Sequence, residues 1–166
     1  EDTDLTGKTG MSNSGSPIGR DMISESGTLD ASGSRFVTYL YKKDLSLDFH
    51  IASSEEADAT LDLYIAAELD NIRISQTNYK VYVNGETPDY GTIDLPNGGK
   101  FKNWISLPVH LKKGANFIQM VTDNDVNPVG NGTYAGTAPM VDCIKLTTES
   151  CLMWDQNYGL PVTDNY

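Results

Sequence analysis

The chain has 166 residues, enough for one well-buried core and too few for two comfortable domains. Twelve basic residues face 23 acidic ones, a net charge of −11. That balance argues against nucleic acid, anionic membrane surfaces and, unless a cation bridges the contact, polyanionic sugars.

Residues 1–34 are rich in Gly, Ser and Thr and have little periodicity; they predict an opening strand around Leu5, then a long loop through Gly27. The opening Glu1-Asp2-Thr3-Asp4 resembles no signal peptide and no apolar run is long enough to span a bilayer, so an excised soluble domain is expected. Phe36, Thr38 and Leu40 then oppose Val37, Tyr39 and Tyr41, and Leu45, Leu47, Phe49 and Ile51 share one face against Ser46, Asp48 and His50. Such period-two alternation is that of a half-buried strand. Ser53 and Glu56 have capping-box spacing, but Leu61, Leu63 and Ile65 alternate with Thr60, Asp62 and Tyr64 immediately afterwards, which predicts a loop and a strand instead of a helix. Tyr79 to Val83 closed by Asn84-Gly85 is a hairpin signal, because Asn and Gly tolerate the positive φ of tight turns. Ile93 and Leu95, Trp104 to Leu111, Asn116 to Thr122 and Met140 to Leu146 complete the set. The prediction is an all-β sandwich, with a jelly roll among the options, of about eight or more antiparallel strands and no helix longer than a turn or two. It spans residues 1–148. Residues 149–166, with Met153, Trp154, Tyr158 and Pro161, form an aromatic tail expected to pack on the sandwich or extend it.

Few residues suggest covalent chemistry. His50 and His110 are the only histidines, and neither lies near a Ser or Cys nucleophile signature; both are expected at exposed strand positions. Cys143 and Cys151 lack metal-ligand spacing; they either pair, if the chain turns back between Thr147 and Ser150, or remain two buried free thiols. Nine tyrosines against four phenylalanines fit exposed recognition loops and strand filler equally well. The carboxylate excess is compatible with calcium, a hard cation that prefers oxygen ligands, though most of it is expected to be solvated surface. Asp123, Asp125 and Asn127 place oxygen ligands at alternate positions, like the start of a calcium loop, but Pro128 stands where an EF-hand needs Gly and Tyr134 replaces the closing Glu. Asn131-Gly132-Thr133 is a glycosylation sequon, meaningful only in a eukaryotic secretory pathway.

Several stretches in a fixed order carry a resemblance: Phe36 to Leu40, Thr60 to Ala66, Val81 to Gly85, Gly99 to Trp104, Lys112 to Ile118 and Met140 to Ile144, preceded by Glu1-Asp2 with Leu5-Thr6-Gly7. This order, over roughly residues 1–147, resembles carbohydrate-binding modules of families 6 and 35. The resemblance implies a β-sandwich that binds a sugar without reacting it. Tyr39 and Phe101 would form the aromatic platform, with Trp104 as the alternative. Asn103, Asn97 and Asp70 or Asn71 would hydrogen-bond the hydroxyls. Phe101 stands between two lysines in a glycine loop and is expected to be exposed. The resemblance also implies a structural calcium held by Glu1 and Asp142, on opening and closing strands expected to be neighbours. The chain departs from the pattern at Ala66-Ala67, where an Arg is usual, and at Met140, where an Asn is usual. Both usual residues hydrogen-bond sugar or uronate.

The expectation is therefore a secreted or cell-surface, non-catalytic carbohydrate-binding module, monomeric within a multidomain chain. It would hold a larger enzyme or surface protein on a polysaccharide, with calcium as its cofactor. Two rivals are an adhesion or assembly domain without a sugar site and a small jelly-roll glycosidase or lyase.

Overall fold

The computed structural model describes residues 4–6, 23–25, 30–38, 40, 43–67, 72–96, 100–123, 127–128, 134–135 and 138–154. Its strands in chain order are β1 (Asp4–Thr6), β2 (Ile23–Glu25), β3 (Arg35–Val37), β4 (Ser46–Ser53), β5 (Ala57–Ala66), β6 (Ile72–Ser75), β7 (Tyr79–Val83), β8 (Thr92–Leu95), β9 (Lys102–Leu111), β10 (Gly114–Thr122), β11 (Asn127–Pro128), β12 (Tyr134–Ala135), β13 (Met140–Thr148) and β14 (Leu152–Trp154). The only helical element among the described residues is a 3-10 turn at Ser32–Ser34. No described helix is long and apolar enough to cross a membrane.

The strands form an all-β sandwich of two five-stranded antiparallel sheets. One runs β1-β4-β10-β7, with β14 also on β4; the other runs β2-β3-β13-β5-β9. Two small pairs, β6-β8 and β11-β12, stand apart from these. Alternation along the chain fixes the inner faces. Leu61, Leu63 and Ile65 of β5 meet Ile105, Leu107, Val109 and Leu111 of β9 in one core. Leu47, Phe49 and Ile51 of β4, Val81 and Val83 of β7 and Ile118 and Met120 of β10 complete it from the other sheet. Each fully buried aliphatic side chain contributes about 1.5–3 kcal/mol by leaving water.

Local chemistry sets the turns and edges. Asn84 and Gly85 both have positive φ, 53° and 87°, as the predicted hairpin turn after β7 requires. Pro108 interrupts β9 without harm because β9 is an edge strand, paired only with β5. The suspected capping serine, Ser53, ends β4, and its hydroxyl donates to the Glu55 carbonyl at 2.7 Å.

Two expectations need amendment, and the tail follows one of the alternatives expected for it. The long opening loop contains β2, paired with β3. The opening and closing strands of the sandwich are not neighbours: β1 lies on β4 in one sheet, whereas β13 lies between β3 and β5 in the other. The tail residues Leu152–Trp154 add a strand to β4, and 155–166 lie outside the described residues.

Candidate functional site

Strand β5 is the spine of the site, and its register shows an irregularity on both sides of Tyr64. Along β9, Leu63 pairs with Ile105 and Tyr64 with Asn103, so Trp104 is an inserted residue. Along β13, Ile65 pairs with Val141 and Tyr64 with Cys143, so Asp142 is inserted. Bulges twist a strand locally and re-aim its side chains, and they recur beside functional sites. Two of them at one level of the sheet flank the half-buried Tyr64 with two of the predicted residues.

On the β9 side, polar groups form a connected array on the exposed sheet face. The Asn103 amide donates to Asp62 Oδ1 at 3.0 Å and to Ser106 Oγ at 2.9 Å, and the Ser106 hydroxyl donates to the same Asp62 oxygen at 2.6 Å. Trp104 packs partly against the core, and the Lys102 ammonium lies 5.9 Å from its ring centroid. On the β13 side, Asp142 Oδ1 accepts from the Ser32 backbone N–H and from the Ser32 hydroxyl, each at 2.8 Å. Cys143 is half-buried beside it. Burial, then the Asp142 carboxylate, pushes its thiol up to about 11, so it is a poor nucleophile. Neither cysteine is in a disulfide, and Cys151 is exposed, which removes the alternative of two buried thiols.

Phe101 is placed against expectation. It is only 7% exposed, its ring 5.2 Å from that of Phe36 and tilted by 50°. Phe36, Ala66, Phe101 and Met140 form a second small core, with Ala31 packed against it. The glycine loop and flanking lysines signalled exposure, but Lys100 and Lys102 carry the solvent-facing charge while the ring between them turns inward. Ala66, Ala67 and Met140, the positions where the resemblance expects sugar-binding Arg and Asn, are all buried. This end of the sandwich has an apolar floor where hydrogen-bonding groups were expected.

The other predicted residues divide as follows. Tyr39, Asn71, Asp70, Asn97, Glu1 and Asp125 lie outside the described residues. Asn127 pairs with Ala135 in the β11-β12 hairpin. Asp123 is held by two ammonium groups, Lys80 Nζ at 2.7 Å and Lys43 Nζ at 3.9 Å, so its charge is already answered without a metal. Among the described residues no group of three His, Cys, Asp or Glu side chains is arranged to hold an ion. They do not form a calcium shell by themselves, and Glu1, the partner that the resemblance implies for Asp142, lies outside the described residues. His110 is exposed as expected, whereas His50 is half-buried and stacks on Phe117 with centroids 4.6 Å apart.

Sequence reasoning singled out Asn103 but missed its partners. Period two does put Asp62 and Tyr64 on the outer face; only the strand register shows that Asn103 and Ser106 meet Asp62 there.

No protein-family model matches the chain, and no curated protein matches it in sequence. Solved structures do. A family 35 carbohydrate-binding module from an environmental isolate superposes with a TM-score of 0.56 at 19% identity, covering 92% of this chain and 96% of that one. A second family 35 module, solved in complex with a glucuronic acid-containing disaccharide, gives 0.52 at 16% identity over 92% and 96% of the two chains. The Podospora anserina GH26-CBM35 β-(1,4)-mannanase gives 0.55 at 20% identity over 91% of this chain and 27% of that one. The chain thus has the β-sandwich fold of family 35 carbohydrate-binding modules.

Proposed function

We propose that this domain is a non-catalytic carbohydrate-binding module of a secreted or surface protein, holding that protein on a polysaccharide. The observation that carries the reading is the exposed Asp62–Asn103–Ser106 array beside Tyr64 and Trp104. A pyranose presents an apolar C–H face and a ring of hydroxyls. Aromatic side chains beside connected carboxylate, amide and hydroxyl groups offer partners to both, and a few such polar groups set orientation. The net charge of −11 favours a neutral glycan over a polyuronate. Affinity in the millimolar to micromolar range, about −4 to −8 kcal/mol, suits so shallow a surface.

A structural calcium on Asp142 belongs to the same proposal. Ser32 orients that carboxylate through Oδ1, as outer partners commonly orient ligating carboxylates. Oδ2, touched only by the Cys143 thiol at 3.6 Å among the described residues, is the oxygen left for the ion. The resemblance pairs Asp142 with Glu1, and that pairing cannot come from adjacent strands, since β1 lies on β4 and β13 between β3 and β5.

The test is affinity electrophoresis against soluble glycans, with a reducing-sugar assay on the same samples. Retardation without new reducing ends, lost in Asn103→Ala and Asp62→Ala, is the expected result. New ends would mean an enzyme. No retardation by any glycan would favour the rival reading, an interaction domain of the same fold, to which buried Ala66, Ala67 and Met140 give some support.

A further inference from the structure

The opposite end of the same sheet carries a concavity. Asp58 lies six residues before Tyr64 on β5, about 20 Å away at ~3.3 Å per residue. There a groove of about 900 Å3 runs between the ends of β5, β9 and β13 and the turn that follows β7. It is an open trough, and its volume is several times that of one sugar ring.

Its chemistry differs from that of the Asn103 end. Asp58, Glu86 and Glu149 contribute carboxylates, and among the described residues no lysine or arginine lines it. The one basic group among the described lining residues is His110, and it already has partners. Nδ1 is 2.9 Å from Asp58 Oδ1 and Nε2 is 2.9 Å from Glu56 Oε1. Each ring nitrogen faces a carboxylate, which favours the protonated ring, the form in which both nitrogens are donors. A protonated His110 offsets one of the two charges on Asp58 and Glu56, and among the described residues no ion pair engages Glu86 or Glu149. Thr60, Thr147, Pro88 and Pro108 also line it, so hydroxyl-bearing and apolar residues accompany the carboxylates.

An occupant that complements this lining brings positive charge, hydroxyls and an apolar C–H surface in one extended molecule. A neutral glycan leaves the carboxylates unanswered, and a uronate is repelled by them. We infer that the groove is a second glycan site, for oligosaccharides of a 2-amino sugar whose amines are free and charged. The inference rests on reading the domain as a sugar binder, but the site is independent of the Asn103 end.

Titration calorimetry with the glucosamine tetramer and its N-acetylated counterpart separates charge from skeleton, since the two differ only at nitrogen. At mildly acidic pH the free amine tetramer should bind up to about tenfold more tightly, the upper end for two exposed ion pairs. Added salt should weaken it, because such pairs are screened within about 10 Å at 0.1 M. The Glu86→Gln/Glu149→Gln variant should lose that advantage while keeping its melting curve and its retardation by a neutral glycan. Equal binding of both tetramers overturns the inference, as does a tetralysine peptide that binds as tightly as the amino sugar. A wild-type domain that retains a neutral glycan but ignores the glucosamine tetramer removes the groove alone. Glucosamine binding that depends on Glu86 and Glu149, with no neutral glycan retained, leaves the groove standing and removes the other site.

Discussion

Replacing Phe101 by alanine separates two incompatible accounts of this ring. If it were an exposed platform, its loss would abolish sugar binding and leave folding untouched. The structure places it at 7% exposure, against Phe36 and Met140. Truncating a buried phenylalanine costs about 3–5 kcal/mol, combining lost transfer energy with the cavity left behind. Among the described residues the cluster holds four buried side chains with Ala31 against them and is separate from the main core, where neighbours can collapse into the space, so the lower figure of about 3 kcal/mol is expected. At roughly 2–4 °C per kcal/mol for a domain of this size, the midpoint should fall by about 6–12 °C. Phe101→Leu, which keeps most of the volume, should lose much less. Differential scanning calorimetry measures the shift, and affinity gels run well below the lower midpoint measure binding separately. A Phe101→Ala domain that melts with wild type yet no longer binds would refute the burial argument.

The remaining predictions concern the turn, the charged rim and the ion. Gly85→Ala forces a side chain onto a φ of 87° and should cost about 1–2 kcal/mol in a urea melt; an unchanged midpoint would show that the turn relaxes. The His110 pKa is raised above its ordinary 6.5, first by the hydrogen bond to Asp58 and then by that to Glu56. The stability this adds is complete below that ordinary value and is lost as pH rises through the raised one. Wild type minus His110→Gln should therefore show a melting advantage at acidic pH that disappears above neutrality, and a flat difference would refute it. If calcium is bound at a hundredfold its dissociation constant, chelation should remove about 2.7 kcal/mol, independently of added sugar. Asp142→Ala should abolish that response and Asp125→Ala should not; a melting curve indifferent to chelator, with metal removal verified, ends the calcium reading.

The sequence made the sandwich legible because one periodicity repeats through β4, β5, β7, β9, β10 and β13, and because Asn84-Gly85 has a narrow conformational meaning. It was silent where the outcome depends on what lies across the sheet. Phe101 is flanked by lysines and glycines that signal solvent; its burial comes from Phe36 and Met140, distant in the chain. The inserted residues Trp104 and Asp142 leave alternation almost unmarked, since a bulge shifts register by a single residue. Resemblance placed the opening strand beside the closing one; the observed pairing with β4 rests on backbone ladders that side-chain identity specifies weakly. His110 looked inert in its own segment, and only its distance from Glu56 and Asp58 gives it a role.

Strands β1 and β14 lie on the same side of β4, away from β10. β1 covers Ser46–Asp48 and β14 covers Ile51–Ser53, so Phe49 and His50 fall between them. One edge is therefore tiled by two independent three-residue pieces, each held by few ladder bonds. The consequence concerns colloidal behaviour. Detaching either piece, by nicking or by fraying, bares part of the β4 backbone while the core stays folded, and bare edge backbone is a template for another chain's strand. The Trp154 side of this edge already exposes apolar surface, with Trp154 40% exposed and Met153 67% exposed. Clipped preparations should associate edge to edge long before they unfold.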